Sequence, residues 1–264
     1  MRNRSMAITR STNTVDPSQL LTTFPDHLNA VVIGASGGIG SAITKQLFQA
    51  PKVGRVLALS RTSVKQNEKV FAAQIDLENP EKIEAAAEHA KECLGSVHLV
   101  FVATGLLHDG DLQPEKALRS LTPDVLARSF AINAIGPALL ARSFIPLMPR
   151  EGKTAFAAIS ARVGSITDNG LGGWYSYRAS KAALNQLMRT TAIEVARKYK
   201  EAVFLALHPG TTETSLSKPF QSGVPKNKLF TPHYSANRML QVIDQAEPRD
   251  SGKLIAWDGE VLPY

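Results

Sequence analysis

One short stretch restricts the fold of this chain more than any other. Ala30-Val31-Val32-Ile33 is an apolar run ending in Gly34-Ala35-Ser36-Gly37-Gly38-Ile39-Gly40, and a helical apolar pattern with Ile43, Leu47 and Phe48 follows. The order is strand, glycine turn, helix. Gly34, Gly38 and Gly40 divide three tasks among them: a tight turn, close approach of a ligand to the backbone, and packing of helix against strand. The unpaired N–H groups at the helix start face an anion, with the helix dipole behind them.

The alternation continues along the chain. Arg55 to Ser60, Val70 to Ile75, Val97 to Ala103, Thr154 to Ser160, Ala202 to Leu207 and a stretch near Leu254 read as strands. Helical patterns separate them, the longest from about Pro123 to Met148 and from Ser176 to Arg197. Asn79-Pro80, Thr122-Pro123 and Thr231-Pro232 each pair a capping side chain with proline at the first helical position. Val97 to Ala103 is continuously apolar, as in a strand buried on both faces. The pattern predicts an α/β chain: a single doubly wound Rossmann-type domain with a parallel sheet of about seven strands. That domain covers 28–264 and includes a substrate-loop insertion at about 211–230. Residues 1–24 are polar, with Arg2, Arg4 and Arg10 and no acid before Asp16, and a flexible tail over 1–27 is expected. The composition also resembles a transit peptide, but no apolar face supports one.

In such sheets ligands sit outside the carboxyl ends of the strands. The glycine turn, Ser60-Arg61, Asp76, Thr104-Gly105, Ser160 and Pro209-Gly210 all fall there. After the second strand, a fold that binds NAD carries an acid for the ribose hydroxyls. Ser60-Arg61 offers a hydroxyl and a guanidinium instead, which suits a 2′-phosphate; a solvated loop arginine is the plainer alternative.

Composition narrows the partners. The net charge of +7 is dispersed, without the Lys/Arg blocks of a nucleic-acid arm, and an anionic small ligand accounts for it. The single cysteine, Cys93, excludes an intramolecular disulfide and fits a reducing cytoplasm. No run of 18 apolar residues marks a membrane span, and no metal site is expected.

The stretch Tyr175-Ser176-Tyr177-Arg178-Ala179-Ser180-Lys181 lies in the second long helical pattern. Tyr177 and Lys181 are i and i+4 and share one face, about 6 Å apart along the axis. A phenol titrates near ~10, and a neighbouring cation lowers that value by stabilising the phenolate. The pair is therefore a possible acid/base device. In isolation it fits an ordinary amphipathic helix equally well.

Taken together, Gly34-x-x-x-Gly38-x-Gly40, Asp76, Ala103-Thr104-Gly105, Asn133, Tyr177-x-x-x-Lys181 and Pro209-Gly210 resemble the ordered motifs of the classical short-chain dehydrogenase/reductase family. The likeness covers about residues 28–260. Ser160-Ala161-Arg162-Val163-Gly164-Ser165-Ile166 and His208-Pro209-Gly210-Thr211-Thr212-Glu213-Thr214 are most similar to its carbonyl-reductase branch, which includes the sniffer and C-factor proteins. The resemblance implies an NADP(H)-dependent carbonyl reductase. Tyr177 would donate the proton, Lys181 would lower its pKa and hold the nicotinamide ribose, and Asn133 would anchor a water. Gly34, Ser36, Gly38, Ile39 and Gly40 would hold the pyrophosphate, Ser60 and Arg61 the 2′-phosphate, and Asp76 and Leu77 the adenine. Ala103, Thr104 and Gly105 would line the cofactor, and Pro209, Gly210, Thr211 and Thr214 would hold the nicotinamide end. The family also implies a homo-oligomer, dimer or tetramer, for which Leu139, Leu140, Phe144, Leu187 and Met188 offer an apolar face.

Two departures stand out. Val102-Ala103-Thr104-Gly105 replaces the family's Asn-Asn-Ala-Gly. Ala161 occupies the position of the carbonyl-polarising serine, for which Ser165 or Ser160 is expected to substitute. A rival reading is an NADP(H)-binding signalling or sensor protein with little turnover. The substrate is expected to be a small apolar or aromatic carbonyl compound, bounded by Leu106, Leu107, His108, Leu171, Trp174 and Phe220.

Overall fold

The computed structural model describes residues 16–110 and 112–264. The first half contains β1 (Leu28–Ile33), α1 (Gly38–Gln49), β2 (Val53–Ser60), β3 (Val70–Gln74), α2 (Pro80–Leu94), β4 (Leu99–Val102) and α3 (Pro123–Phe130). The second contains α4 (Gly136–Phe144), β5 (Thr154–Ile159), α5 (Tyr175–Val195), β6 (Ala202–His208), β7 (Thr211–Thr212), β8 (Leu229–Phe230), α6 (Pro232–Gln245), β9 (Leu254–Ala256) and β10 (Val261–Leu262). Eight strands form one sheet in the order β3-β2-β1-β4-β5-β6-β9-β10. All neighbours are parallel except β10, which runs antiparallel to β9. The eighth strand exceeds the expected count because two residues are too few to show a periodicity.

Both faces of the sheet are covered. Along β1, Val31 and Ile33 face the layer of α2, α4 and α5, where Ile83, Leu140, Phe144, Leu184 and Met188 are buried. Ala30 and Val32 face Ile43, Leu47, Met239 and Leu240 of α1 and α6. This period of two on a fully buried strand explains its unbroken apolar sequence. The three Pro-marked helix starts all form, with Asn79, Thr122 and Thr231 accepting bonds from the first-turn amides. No side chain caps α1 or α5 from the N-cap position.

Three expectations change. Residues 1–15 of the expected tail lie outside the described residues. From residue 16 onward the segment is part of the domain: Leu20, Leu21 and Phe24 are at most 2% exposed, and Thr22 and Thr23 bond the Asp244 carboxylate. Its scattered apolar residues lack a helical or strand period, so the sequence pattern hid their burial. The long Pro123 helix is interrupted by a π-helical segment, Ala131–Ile135, which contains Asn133. The column Pro123–Leu147 has mean hydropathy 1.4 and the length to cross a membrane, but Leu140, Ala141 and Phe144 are buried against the sheet, as in a core helix. The apolar face offered for oligomerisation is largely spent in the protein's own core: Leu140, Phe144 and Met188 are buried, leaving half-buried Leu139 and exposed Leu187.

Candidate active site

A cavity of about 630 Å³ opens at the carboxyl ends of the central strands, where the sequence reading placed it. At one end is the turn after β1. Gly34 has φ +83°, a left-handed conformation that glycine adopts without strain. A Cβ on Gly40 would lie 2.1 Å from the Gly34 oxygen, so any side chain would push α1 off the turn. Ser36, Gly38 and Ile39 line the cavity at the uncapped start of α1. A backbone so exposed, with free N–H groups ahead of a helix dipole, fits a pyrophosphate.

Ser60, Arg61, Asp76 and Leu77 line the neighbouring wall. The Ser60 hydroxyl is already committed to a local turn, donating to the Thr62 oxygen and accepting from its N–H. Arg61 is exposed and makes no ion pair among the described residues, so its guanidinium is free for an anion. Ala103, Thr104 and Gly105 form the floor, and Pro209, Gly210, Thr211 and Thr214 the far rim. Thr104 Oγ1 is buried without a partner.

Tyr177 and Lys181 line the other end, both buried on α5. Lys181 Nζ lies 5.8 Å from the centre of the Tyr177 ring and donates to the Ile159 oxygen at 2.8 Å. Burial dominates their titration. It pushes Tyr177 up to about 12 and Lys181 down to about 7. The expected lowering of the Tyr177 pKa by Lys181 is therefore absent here: desolvation outweighs the neighbouring cation.

Asn133 does not line the cavity. Its carboxamide accepts from the Leu106 N–H and donates to the Leu106 oxygen, both at 2.8 Å, and donates to Ser180 Oγ at 3.0 Å. Ser180 Oγ in turn donates to the Tyr177 backbone oxygen. Asn133 thus ties the exit of β4 to the helix that carries Tyr177, and the π segment turns it inward for that task.

The serine substitutions do not form either. Ser165 is 2% exposed, lies off the cavity, and accepts from the Asp168 N–H. Ser160 touches the cavity wall, but its hydroxyl donates to Asn185 at 2.7 Å. Strand alternation turns it toward α5, and Ala161 faces the cavity in its place.

Leu106, Leu107, His108, Trp174 and Phe220 line the mouth as expected. Leu171 does not: it is 95% exposed and outside the cavity. Trp174 stands T-shaped on Tyr177 at 6.3 Å, and Phe220 lies 5.0 Å from Trp174 and 5.8 Å from His108. Sequence reasoning missed Glu115, whose 4% exposure marks a buried acid. The only local hint was its place in a loop otherwise rich in surface residues.

A doubly wound sheet with a glycine cradle at one end of its cleft and a buried Tyr/Lys pair at the other defines a nicotinamide-dinucleotide oxidoreductase. The family model described as short chain dehydrogenase matches residues 28–224, and the chain belongs to that family, close to its carbonyl-reductase branch. It is 29% identical over 243 residues to the 1-hydroxy-2-glutathionyl-2-methyl-3-butene dehydrogenase of Rhodococcus sp. (strain AD45), covering 89% of this chain and 98% of that protein. Its fold matches the NADPH-bound carbonyl reductase from chicken fatty liver with TM-score 0.79 and 25% identity, over 91% of this chain and 100% of that one. The carbonyl reductase Sniffer of D. melanogaster matches with TM-score 0.78 and 19% identity, over 90% and 100%.

Proposed function

We propose that this protein is an NADPH-dependent reductase of small apolar or aromatic aldehydes and ketones, with Tyr177 as proton donor. The observation that carries the reading is the burial of Tyr177 and Lys181 side by side in the cavity that also holds the glycine cradle.

The residues present fit the dinucleotide. Gly34, Ser36, Gly38, Ile39 and Gly40 would hold its pyrophosphate, Arg61 the 2′-phosphate, Asp76 and Leu77 the adenine side, and Thr104, Pro209, Gly210, Thr211 and Thr214 the remainder. When bound, it supplies the hydride. The chain supplies position and a proton. At neutral pH Tyr177 stays a phenol, the form that can donate to a carbonyl oxygen. Lys181, when charged, stabilises the phenolate left behind. Leu106, Trp174 and Phe220 exclude water from one side of the carbonyl and favour an apolar or aryl substituent.

The test is NADPH oxidation with a panel of aldehydes, ketones and diones. Turnover with at least one, lost in Tyr177→Phe while NADPH still binds, is the expected result. NADPH binding with no turnover on any carbonyl would favour the sensor reading instead, for which the commitment of the Ser160 and Ser165 hydroxyls to Asn185 and Asp168 is the supporting observation.

A further inference from the structure

Glu115 lies in the loop between β4 and α3, buried and outside the lining of the cavity. It nevertheless grips the start of α5. Its backbone oxygen accepts from the Trp174 N–H at 2.6 Å. One carboxylate oxygen accepts from the Ser176 N–H at 3.1 Å, and the other accepts from the Ser176 hydroxyl.

The need for such a grip follows from the approach to the helix. Gly172, Gly173 and Trp174 have φ of +65°, +66° and +52°, three left-handed residues in succession. Glycine adopts this conformation freely and tryptophan does not. An N-cap residue normally sits in the extended region, where its side chain reaches the first-turn amides. Trp174, at φ 52° and ψ 44°, is not there and caps nothing. Glu115 provides the missing acceptor from a distant part of the chain. Its buried carboxyl oxygens are in turn satisfied by those donors, at the positive end of the helix.

Tyr177 belongs to that same first turn, and Trp174 packs against it. We propose that Glu115 is a positioning residue for carbonyl reduction: by fixing residues 174–176 it sets the direction of the Tyr177 hydroxyl and the place of the Trp174 wall. The proposal rests on the reading of Tyr177 as proton donor, but part of its test does not need turnover.

The experiment compares Glu115→Ala and Glu115→Gln with the wild type. In the alanine variant kcat is expected to fall about 10²-fold, as for a misplaced reacting group, while the NADPH dissociation constant stays within about twofold because the cofactor cradle is elsewhere. Glutamine keeps an oxygen that can accept from the Ser176 N–H, and is expected to recover most of the lost kcat. Hydrogen exchange at the Ser176 amide is expected to quicken about tenfold or more in Glu115→Ala. Wild-type kcat in the alanine variant overturns the proposal, and so does a glutamine variant no better than alanine. If the wild type reduces no carbonyl, the reductase reading fails; unchanged exchange at Ser176 in Glu115→Ala then separately overturns the grip on the helix start. Should the alanine protein fail to fold, Glu115→Asp draws the carboxylate back by one methylene and supplies the same readouts, with wild-type kcat and wild-type exchange again counting against the proposal.

Discussion

Lys181 carries the largest electrostatic load of any single residue in the cavity. Its folded pKa of about 7 lies below the ordinary value of 10.5. Between those values the unfolded chain binds a proton that the folded chain does not, so stability from this group rises as pH climbs from 7 to 10.5. Tyr177 works in the opposite sense: its raised pKa of about 12 means that stability is lost as pH rises from 10 to 12. At pH 7 a lysine held that far below its ordinary value costs several kcal/mol. Lys181→Met should therefore raise Tm at pH 7 by calorimetry while abolishing turnover, a trade of stability against activity. An unchanged or lower Tm would count against it. The serines yield a second prediction at this scale. Because the Ser160 and Ser165 hydroxyls are both bonded away from the cavity, Ser160→Ala and Ser165→Ala should keep kcat within about threefold of the wild type. Removing a true oxyanion donor costs about 10²–10³. Ala161→Ser should raise kcat, and steady-state kinetics on the three variants distinguishes these outcomes. The Tyr/Lys pair was legible because i, i+4 spacing on a helix is a local rule. Glu115 was not, because its partner Ser176 lies 61 residues away in the chain.

Among the elements, the segment from residue 16 to the start of β1 departs most from its sequence reading. It has no period, yet Thr22 and Thr23 donate four hydrogen bonds to the Asp244 carboxylate at the end of α6. Lys153 also donates to the Asp244 and Ala246 backbone oxygens, closing the same helix end. Charge-assisted bonds of this kind contribute more than neutral ones. Asp244→Ala should destabilise the protein by about 2–4 kcal/mol, measured by urea unfolding. NADPH affinity should not change, since the latch lies away from the cavity. Equal stability would show that the segment rests on its apolar contacts alone. The π segment makes a similar point. A helical period runs through Pro123–Leu147, and nothing in it marks the place where one extra residue turns Asn133 inward.

At the scale of the molecule, the sequence carries a net charge of +7, and among the described residues Arg61 meets the cavity beside the second strand without an ion pair, whereas Arg128 and Arg162 on the same lining are paired. An exposed charge is screened by salt. The NADPH dissociation constant should rise with added salt more steeply than that of NADH. Arg61→Ala should raise it about tenfold while leaving NADH nearly unchanged, the lower end of a charge-assisted contact because the residue is exposed. Fluorescence titration with both cofactors checks this, and equal affinity of the wild type for the two would refute it.

The chain's own pattern determined the sheet, the parallel run of its main strands and the strand ends that form the cleft. Those follow from short-range rules: apolar runs, capping residues and glycines that act within a few positions of themselves. Which hydroxyl faces the cavity, whether desolvation or a neighbouring cation governs Tyr177, and which acid secures the start of α5 depend on groups that meet only after the chain has folded. Side-chain burial and distant hydrogen bonds are properties of the packed structure, and only the tertiary structure decided them.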